Sequence, residues 1–196
     1  MFILGHRGDR QRFPDNTIEG IASAFRLGAD GVEIDVFYKP SKGVYLVHPY
    51  LHDQSKEYPN LEEILEKFGD KGLLQIEIKS LEAESLEEIK KLIDKHKVKN
   101  FVLSSSIFPL LRYMRELFSD SKINLLSNRL IEDWWTYDFG NNFLLNYAKL
   151  TGADGIDTGN PGFWTKERVK FFHEKGLRVS GFLSTDTKEE YDQTSA

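Results

Sequence analysis

The sequence predicts an α/β protein in which short parallel strands alternate with amphipathic helices. Three observations support this fold class: the strand-length runs are apolar on both faces, stripes of helical period separate most of them, and 196 residues suffice for one domain with a sizeable core. Gly31–Val36 and Gly43–Val47 are the exception. The connection between them is too short for a crossover, so we predict a hairpin there.

The individual elements follow from their local signals. Asn16, with Glu19 three residues later, is predicted to cap the first helix, and Gly28 is predicted to end it. Further helices are predicted at Leu61–Phe68, Leu86–His96, Leu110–Phe118 and Arg168–Glu174. Strands are predicted at Phe2–Gly5, Gly31–Val36, Gly43–Val47, Leu73–Ile78, Phe101–Ser104, Ile123–Ser127, Gly155–Asp157 and Leu177–Phe182.

The number of these units leaves two architectures open. When the hairpin is counted once, seven βα positions remain, which is one fewer than a (β/α)8 barrel needs. The chain is also just shorter than the usual range of that fold, about 200 to 400 residues. An open doubly wound sheet is the alternative.

Composition narrows the classes of function and partner. A net charge of −5 and a sequence pI of about 5.6 argue against a nucleic-acid-binding face, which needs clustered Lys and Arg. The absence of cysteine excludes a disulfide framework and a Cys nucleophile, and it favours a cytoplasmic location. No stretch approaches the roughly 18 apolar residues of a membrane span, so we predict no integral membrane segment.

Carboxylates interrupt two of the predicted buried strands. Glu33 and Asp35 lie two residues apart, and so do Gln75, Glu77 and Lys79 in the next parallel strand. Side chains two apart in a strand share one face, and buried like charges need a neutralising partner. If the two strands bring their carboxylates together, Mg²⁺ or Ca²⁺ would suit the site. A structural salt bridge is the alternative for either pair.

Two strands end in histidine. His6 follows the first predicted strand and His48 follows Gly43–Val47. A single histidine at a strand end is commonly structural, whereas two beside predicted carboxylates suggest an acid–base pair. His96 and His173 lie in predicted helices and are assigned no role.

Five motifs in the first 80 residues together resemble the glycerophosphodiester phosphodiesterase family in order and spacing. They are His6-Arg7-Gly8, Pro14-Asp15-Asn16-Thr17, Glu33-Ile34-Asp35-Val36, a valine-rich strand ending in His48, and Ile76-Glu77-Ile78-Lys79. The resemblance implies a TIM (β/α)8-type barrel that lacks its last strand. It also implies metal-dependent hydrolysis of a small phosphodiester to glycerol 3-phosphate and an alcohol.

The resemblance further implies roles for seven residues. The metal ligands would be Glu33, Asp35 and Glu77. The phosphate-binding residues would be Arg7 and Lys79. The residues that exchange protons with the nucleophile and the leaving alcohol would be His6 and His48.

The sequence also departs from the family pattern. His48 is followed by Pro49 where the family has Asp, and His52-Asp53 offers an alternative second histidine. The family's small inserted subdomain is shortened to about residues 49–60, so we predict a single domain over 1–196. Phe182 stands where the family has tryptophan.

The end of the chain shows a further departure. Gly152–Thr158 resembles the family's last strand, but a helix and a strand follow, so we place it sixth. A barrel without its last strand exposes two edges. We therefore predict either a truncated chain or a homo-oligomer in which a second copy covers the edge.

Residues 128–147 add weaker candidates. Asn128 and Arg129 end the fifth parallel strand and could touch substrate. The aromatic residues that follow could line a headgroup pocket or pack beneath the barrel mouth; they are Trp134, Trp135, Tyr137, Phe139, Phe143 and Tyr147. Two alternative functions stay open: a phospholipase D-like headgroup phosphodiesterase, and a phosphate-binding barrel whose catalytic site has decayed.

Overall fold

A computed structural model describes residues 2–53, 55–127, 137–159 and 163–181, and its strands form one sheet. The strands are β1 (Leu4–His6), β2 (Gly31–Lys39), β3 (Gly43–Leu46), β4 (Leu73–Ile78), β5 (Phe101–Ser105), β6 (Lys122–Leu126), β7 (Gly155–Thr158) and β8 (Arg178–Gly181). The helices are α1 (Ile18–Arg26), α2 (Leu61–Phe68), α3 (Ala83–His96), α4 (Phe108–Leu117), α5 (Tyr137–Thr151) and α6 (Lys166–Glu174). A short 3-10 helix, Pro49–Leu51, follows β3.

The order of the strands confirms the barrel-type fold. Seven parallel strands lie side by side in the order β1, β2, β4, β5, β6, β7 and β8, and β3 pairs antiparallel with the far half of β2 as the predicted hairpin. A doubly wound sheet would reverse direction at a switch point. This order runs one way from start to end, as it does in a TIM-type barrel.

The sheet has two open edges within the described ranges. There β1 pairs only with β2, and β8 pairs only with β7. The segment that resembles the family's last strand pairs with β6 and β8, and it therefore holds the predicted sixth parallel position. Phe182 and the predicted terminal helix lie outside the described residues.

The start of α1 corrects one prediction. Thr17, not Asn16, is the N-cap, and its side-chain oxygen accepts a hydrogen bond from the backbone N–H of Gly20 at 3.2 Å. Asn16 lies one residue earlier in the left-handed region, with φ of 60°. Its side chain is buried against β2 instead of capping the helix.

Helix α5 was not predicted from the sequence. Phe139, Phe143 and Tyr147 recur every four residues in it, which is the helical spacing that could have revealed it. Phe143 and Tyr147 stack with ring centroids 5.6 Å apart and pack against the core, whereas Phe139 is mostly exposed. Phe143 and Tyr147 thus pack in the way that the sequence analysis gave as the alternative to lining a headgroup pocket. Trp134, Trp135 and the Tyr137 side chain lie outside the described part.

The two faces of the sheet differ in chemistry. Apolar side chains of the strands, such as Ile34, Ile76 and Leu103, are fully buried in the core that the helices cover. Each such side chain contributes about 1.5–3 kcal/mol when it is removed from water. Polar residues of the same strands are buried as well, and those of β2 and β4 include the carboxylates of the site described below. None of the helices in the described ranges has the length and apolar character that crossing a membrane requires.

Candidate active site

The site lies where the carboxyl ends of β1, β2 and β4 meet. The register places His6 of β1 beside Glu33 of β2, and Asp35 of β2 beside Glu77 of β4. Because parallel strands end at the same edge, a period of two in each strand is enough to bring these side chains together. The β2–β3 hairpin then returns the chain to the same mouth, where the Val47 N–H donates to the Asp35 carbonyl at 3.1 Å and His48 follows.

Three carboxylates converge at this edge. Glu33, Asp35 and Glu77 each contribute an oxygen, and these oxygens lie within 4.8 Å of one another. All three residues are buried. Burial, reinforced by the charges of the other two carboxylates, raises the pKa of Glu33 well above its usual value. Burial also raises the pKa of Glu77, although Lys79 opposes the shift.

The carboxylate cluster fits a hard divalent cation. Glu33 Oε1 is buried and has no hydrogen-bond partner among the described residues, although an unpaired buried oxygen is costly. Oxygen ligands of this kind are those that Mg²⁺ and Ca²⁺ prefer. A cation bound by the three carboxylates would offset their mutual repulsion. The predicted ligand set is therefore brought together in the structure.

Arg7 and Lys79 flank the cluster. Arg7 Nε lies 2.8 Å from Asp35 Oδ2, and Arg7 Nη1 donates to Asp15 Oδ2 at 3.0 Å. Lys79 Nζ lies 3.2 Å from Asp35 Oδ1 and also pairs with Glu77. Burial lowers the pKa of Lys79, but the charges of Glu77 and Asp35 outweigh it and the net shift is upward. Both cations thus stay charged beside the carboxylates.

A tight turn after β1 aims Arg7 at the cluster. Arg7 and Gly8 both have positive φ, 57° and 88°, and the Arg7 N–H donates to the Glu33 carbonyl at 2.9 Å. A Cβ on Gly8 would lie 2.7 Å from the carbonyl carbon of Gly20 in α1. Glycine is therefore required here both for the backbone conformation and for the close approach of the helix.

His6 lies between the carboxylates and another arginine. Its Nε2 is 3.7 Å from Glu33 Oε2, and its Nδ1 is 3.4 Å from Nη1 of Arg10. Burial, together with the charges of Arg7 and Arg10, lowers the pKa of His6 to about 4. The imidazole is consequently neutral at neutral pH, so one of its two ring nitrogens carries no proton.

His48 faces the same site from the end of β3. Its Nδ1 accepts a hydrogen bond from the Tyr50 N–H at 3.4 Å, and its ring lies 5.0 Å from the Tyr50 ring. Burial lowers its pKa. His52 instead contacts the aromatic rings of the hairpin and its surroundings, with Nε2 3.4 Å from the Tyr45 hydroxyl. This placement favours His48 over His52 as the second histidine of the site.

A cavity of about 320 Å³ opens beside His48 and Lys79. Its other lining residues are Pro49, Tyr50, Ile78, Ser106 and Ile107. Polar and apolar side chains both line the cavity. It lies beside His48, which we expect to carry a proton, and Lys79, which we expect to bind phosphate.

Sequence reasoning missed two residues of the site. Asn16 was assigned to a helix cap, yet it makes two hydrogen bonds to Asp35. Arg10 was given no role, although it contacts both His6 and Asp15. Asn16 and Thr17 are both residues that can cap a helix, but one helix needs only one N-cap. The sequence therefore held a signal that Asn16 could have another role. Asn128 and Arg129 lie outside the described residues.

The sheet has the strand order of a TIM-type barrel. At its carboxyl edge it carries three carboxylates flanked by Arg7 and Lys79. These features place the protein in the class of α/β barrels that have an acidic site at the mouth. Residues 6–38 match the model of the glycerophosphoryl diester phosphodiesterase family. A glycerophosphodiester phosphodiesterase of Caldanaerobacter subterraneus subsp. tengcongensis is 30% identical over 170 residues, covering 67% of this chain and 69% of that protein. This chain belongs to the glycerophosphodiester phosphodiesterase family.

Solved structures agree on the fold. The glycerophosphodiester phosphodiesterase of Thermotoga maritima is 22% identical and has a TM-score of 0.75, covering 100% of this chain and 90% of that one. An Oleispira antarctica phosphodiesterase, solved with the product sn-glycerol-3-phosphate, is 17% identical with a TM-score of 0.78, covering 100% and 89%. The predicted family and TIM-type fold are both confirmed.

Proposed function

We propose that this protein hydrolyses glycerophosphodiesters to glycerol 3-phosphate and an alcohol, with a divalent cation at the carboxylate cluster. One observation carries the proposal: Glu33, Asp35 and Glu77 converge within 4.8 Å between two cations, in a chain of this family. A bound Mg²⁺ or Ca²⁺ would supply Lewis-acid stabilisation of the charge that builds on the phosphoryl oxygens.

Arg7 and Lys79 would bind the phosphate. A phosphodiester carries one negative charge, which repels a nucleophile and increases at its oxygens during attack. The Lys79 ammonium has three donors, and two of them face Asp35 and Glu77. The third is then available to a substrate oxygen. Arg7 is held by Asp15 and Asp35 in a fixed orientation beside it.

His6 and His48 would move the protons. An alkoxide is a poor leaving group, so one imidazole must donate a proton while the other accepts one. His6 is neutral at neutral pH and can accept a proton. The Nδ1 of His48 accepts the Tyr50 N–H at 3.4 Å, which leaves its Nε2 for the substrate. To donate a proton from Nε2, His48 must act as the imidazolium, in which Nδ1 is protonated and the contact with the Tyr50 N–H is lost. The cavity of about 320 Å³ next to His48 gives room beside that imidazole for one of the two groups esterified to the phosphate.

Release of glycerol 3-phosphate tests the proposal. Glycerophosphocholine and glycerophosphoethanolamine are assayed with Mg²⁺, with Ca²⁺ and with a chelator, for the parent protein and for His6→Ala and Glu33→Gln. We expect metal-dependent turnover, reduced by at least about 10²-fold in both variants. His173→Ala and Glu88→Gln, which change exposed or partly exposed helix residues, serve as matched controls and should keep full turnover.

Two results would contradict the proposal. Turnover that persists at full rate in the presence of a chelator would show that the reaction does not need the cation. No turnover with any metal, from protein that is folded by circular dichroism, would favour the decayed phosphate-binding barrel.

The lack of cysteine supports a cytoplasmic setting, which stays a prediction.

A further inference from the structure

Arg10 lies at the edge of the site, in the loop between β1 and α1. Its Nε donates to Asp15 Oδ1 at 2.9 Å, and its Nη1 lies 3.4 Å from His6 Nδ1. The other ring nitrogen of His6 is the one near Glu33. Only the width of an imidazole therefore separates the Arg10 guanidinium from the carboxylate cluster.

Arg10 has less counter-charge than its neighbours. In the part of the chain that the structure describes, its one carboxylate partner is Asp15, which it shares with Arg7 because Arg7 binds the other oxygen of the same group. By contrast, Arg12 pairs with Asp9, and Arg7 has Asp35 in addition to Asp15. Asp15 thus serves two guanidiniums, and Arg10 has no carboxylate of its own among the residues that the structure describes.

The Arg10 guanidinium lies between Asp15 and His6. Asp15 holds its Nε, and Nη1 lies beside His6. No described residue forms a hydrogen bond with Nη2, and the Arg10 side chain is 26% exposed. Arginine's planar fork with two parallel donors matches phosphate and carboxylate groups.

We propose that Arg10 is a specificity-determining residue that binds a second anionic group on the substrate, separated from the scissile phosphodiester by a glycerol-sized spacer. This inference rests on the proposed phosphodiesterase function of the same site. It names the preferred substrate class as glycerophosphodiesters whose alcohol itself carries a phosphate monoester or carboxylate. Diesters with an uncharged alcohol would bind without using Arg10.

The test compares two substrates that differ only in this second charge. They are glycerophosphoglycerol and glycerophosphoglycerol phosphate, which carries an added terminal phosphate monoester. The ratio of their kcat/KM values is measured for the parent, for Arg10→Gln and for Arg12→Gln. Asp15 keeps Arg7 as a partner in the first variant, so the loop retains an anchor.

We expect the parent to prefer the phosphorylated diester, and Arg10→Gln to reduce that preference by about 10- to 100-fold, as for loss of a charged hydrogen bond. Arg12→Gln should leave the ratio as in the parent, because Arg12 is half exposed and pairs with Asp9. The preference should also fall as salt is raised. An equal loss on both substrates, or no loss on either, would overturn the proposal.

A second measurement separates this inference from the proposed function. If the parent hydrolyses neither diester, the proposed function fails, and calorimetric binding of the same two compounds decides the role of Arg10. Tighter binding of the phosphorylated compound by the parent, lost in Arg10→Gln and kept in Arg12→Gln, would support it. Equal affinities of the parent for both compounds would refute it.

Discussion

Asn16 and Asp35 are joined by two hydrogen bonds, although 19 positions separate them in the chain. Asn16 Nδ2 donates to Asp35 Oδ2 at 3.1 Å, and the Asp35 N–H donates to Asn16 Oδ1 at 3.0 Å. Both residues are almost completely buried. The loop before α1 thus fixes the orientation of a carboxylate that we propose as a metal ligand.

Replacing Asn16 should weaken cation binding. Asn16→Gly removes both hydrogen bonds while it tolerates the φ of 60°. Partners that orient metal ligands typically contribute about 10- to 100-fold in metal affinity, so we expect a loss in that range for Mg²⁺ or Ca²⁺ by calorimetry. Asn60→Gly, which changes the exposed N-cap of α2, is the matched control. Equal affinities in both variants would contradict the positioning role.

The paired carboxylates of β2 could be predicted because they depend on local geometry. A strand places residues two apart on the same face of the sheet whatever surrounds it, so Glu33 and Asp35 must share a face. The register with β4 then brings Glu77 beside Asp35. The hairpin followed equally from the short distance between its strands along the chain.

Asn16 and Arg10 could not be assigned correctly because their roles depend on the path of a loop. Helix-capping rules consider only the residues around the helix start, whereas Asp35 on β2 holds the Asn16 side chain. Arg10 reaches His6 only because the turn at Gly8 folds the loop back. Such contacts are set by tertiary structure, for which local sequence has no periodic signal.

The two histidines of the hairpin region should respond differently to substitution. His48→Ala should lower kcat by about 10²–10⁴-fold, the range of a lost acid–base group. His52→Ala should keep turnover but lower the free energy of unfolding by about 0.5–1.5 kcal/mol, because its ring packs against Tyr45 and Tyr58. Steady-state assays and chemical denaturation of both variants check this. The reverse pattern would make His52 the catalytic residue.

Gly8 should be more sensitive to alanine than another glycine of the same conformation. Gly28 has φ of 90° and nothing within 4 Å of an added Cβ, so Gly28→Ala measures backbone strain alone, about 1–2 kcal/mol. Gly8→Ala adds a 2.7 Å contact with Gly20 to a similar strain. We expect a larger loss of stability in denaturant titrations, and a drop in kcat because Arg7 shifts. Equal losses would remove the steric argument.

Asp157 is the centre of a buried polar network in the sheet. Its carboxylate accepts hydrogen bonds from Gln75 Nε2 and Asn124 Nδ2, both at 2.9 Å, and Asn124 Oδ1 in turn accepts from Arg178 Nη2. Burial raises the pKa of Asp157 to about 7, with a contribution from the charge of Glu77, while the two amide donors oppose the shift. The network therefore contains a carboxyl group that takes up a proton near neutrality.

This raised pKa predicts a specific dependence of stability on pH. An unfolded aspartate titrates near pKa 3.9, so from about pH 4 to 7 the folded chain holds more protons than the unfolded chain at this residue. The free energy of unfolding must then fall as pH rises through that window, and the loss is complete above it.

Asp157→Asn cannot titrate, and Gln75 can turn its amide oxygen toward the new amide group while Asn124 stays fixed by Arg178. We therefore expect the variant to gain stability relative to the parent as pH rises from 4 to 8, by about 1–4 kcal/mol at the upper end. Urea titrations of both proteins at each pH, with a chelator present throughout, measure this difference. Parallel curves across the window would show that Asp157 is already ionised in the folded protein at pH 4.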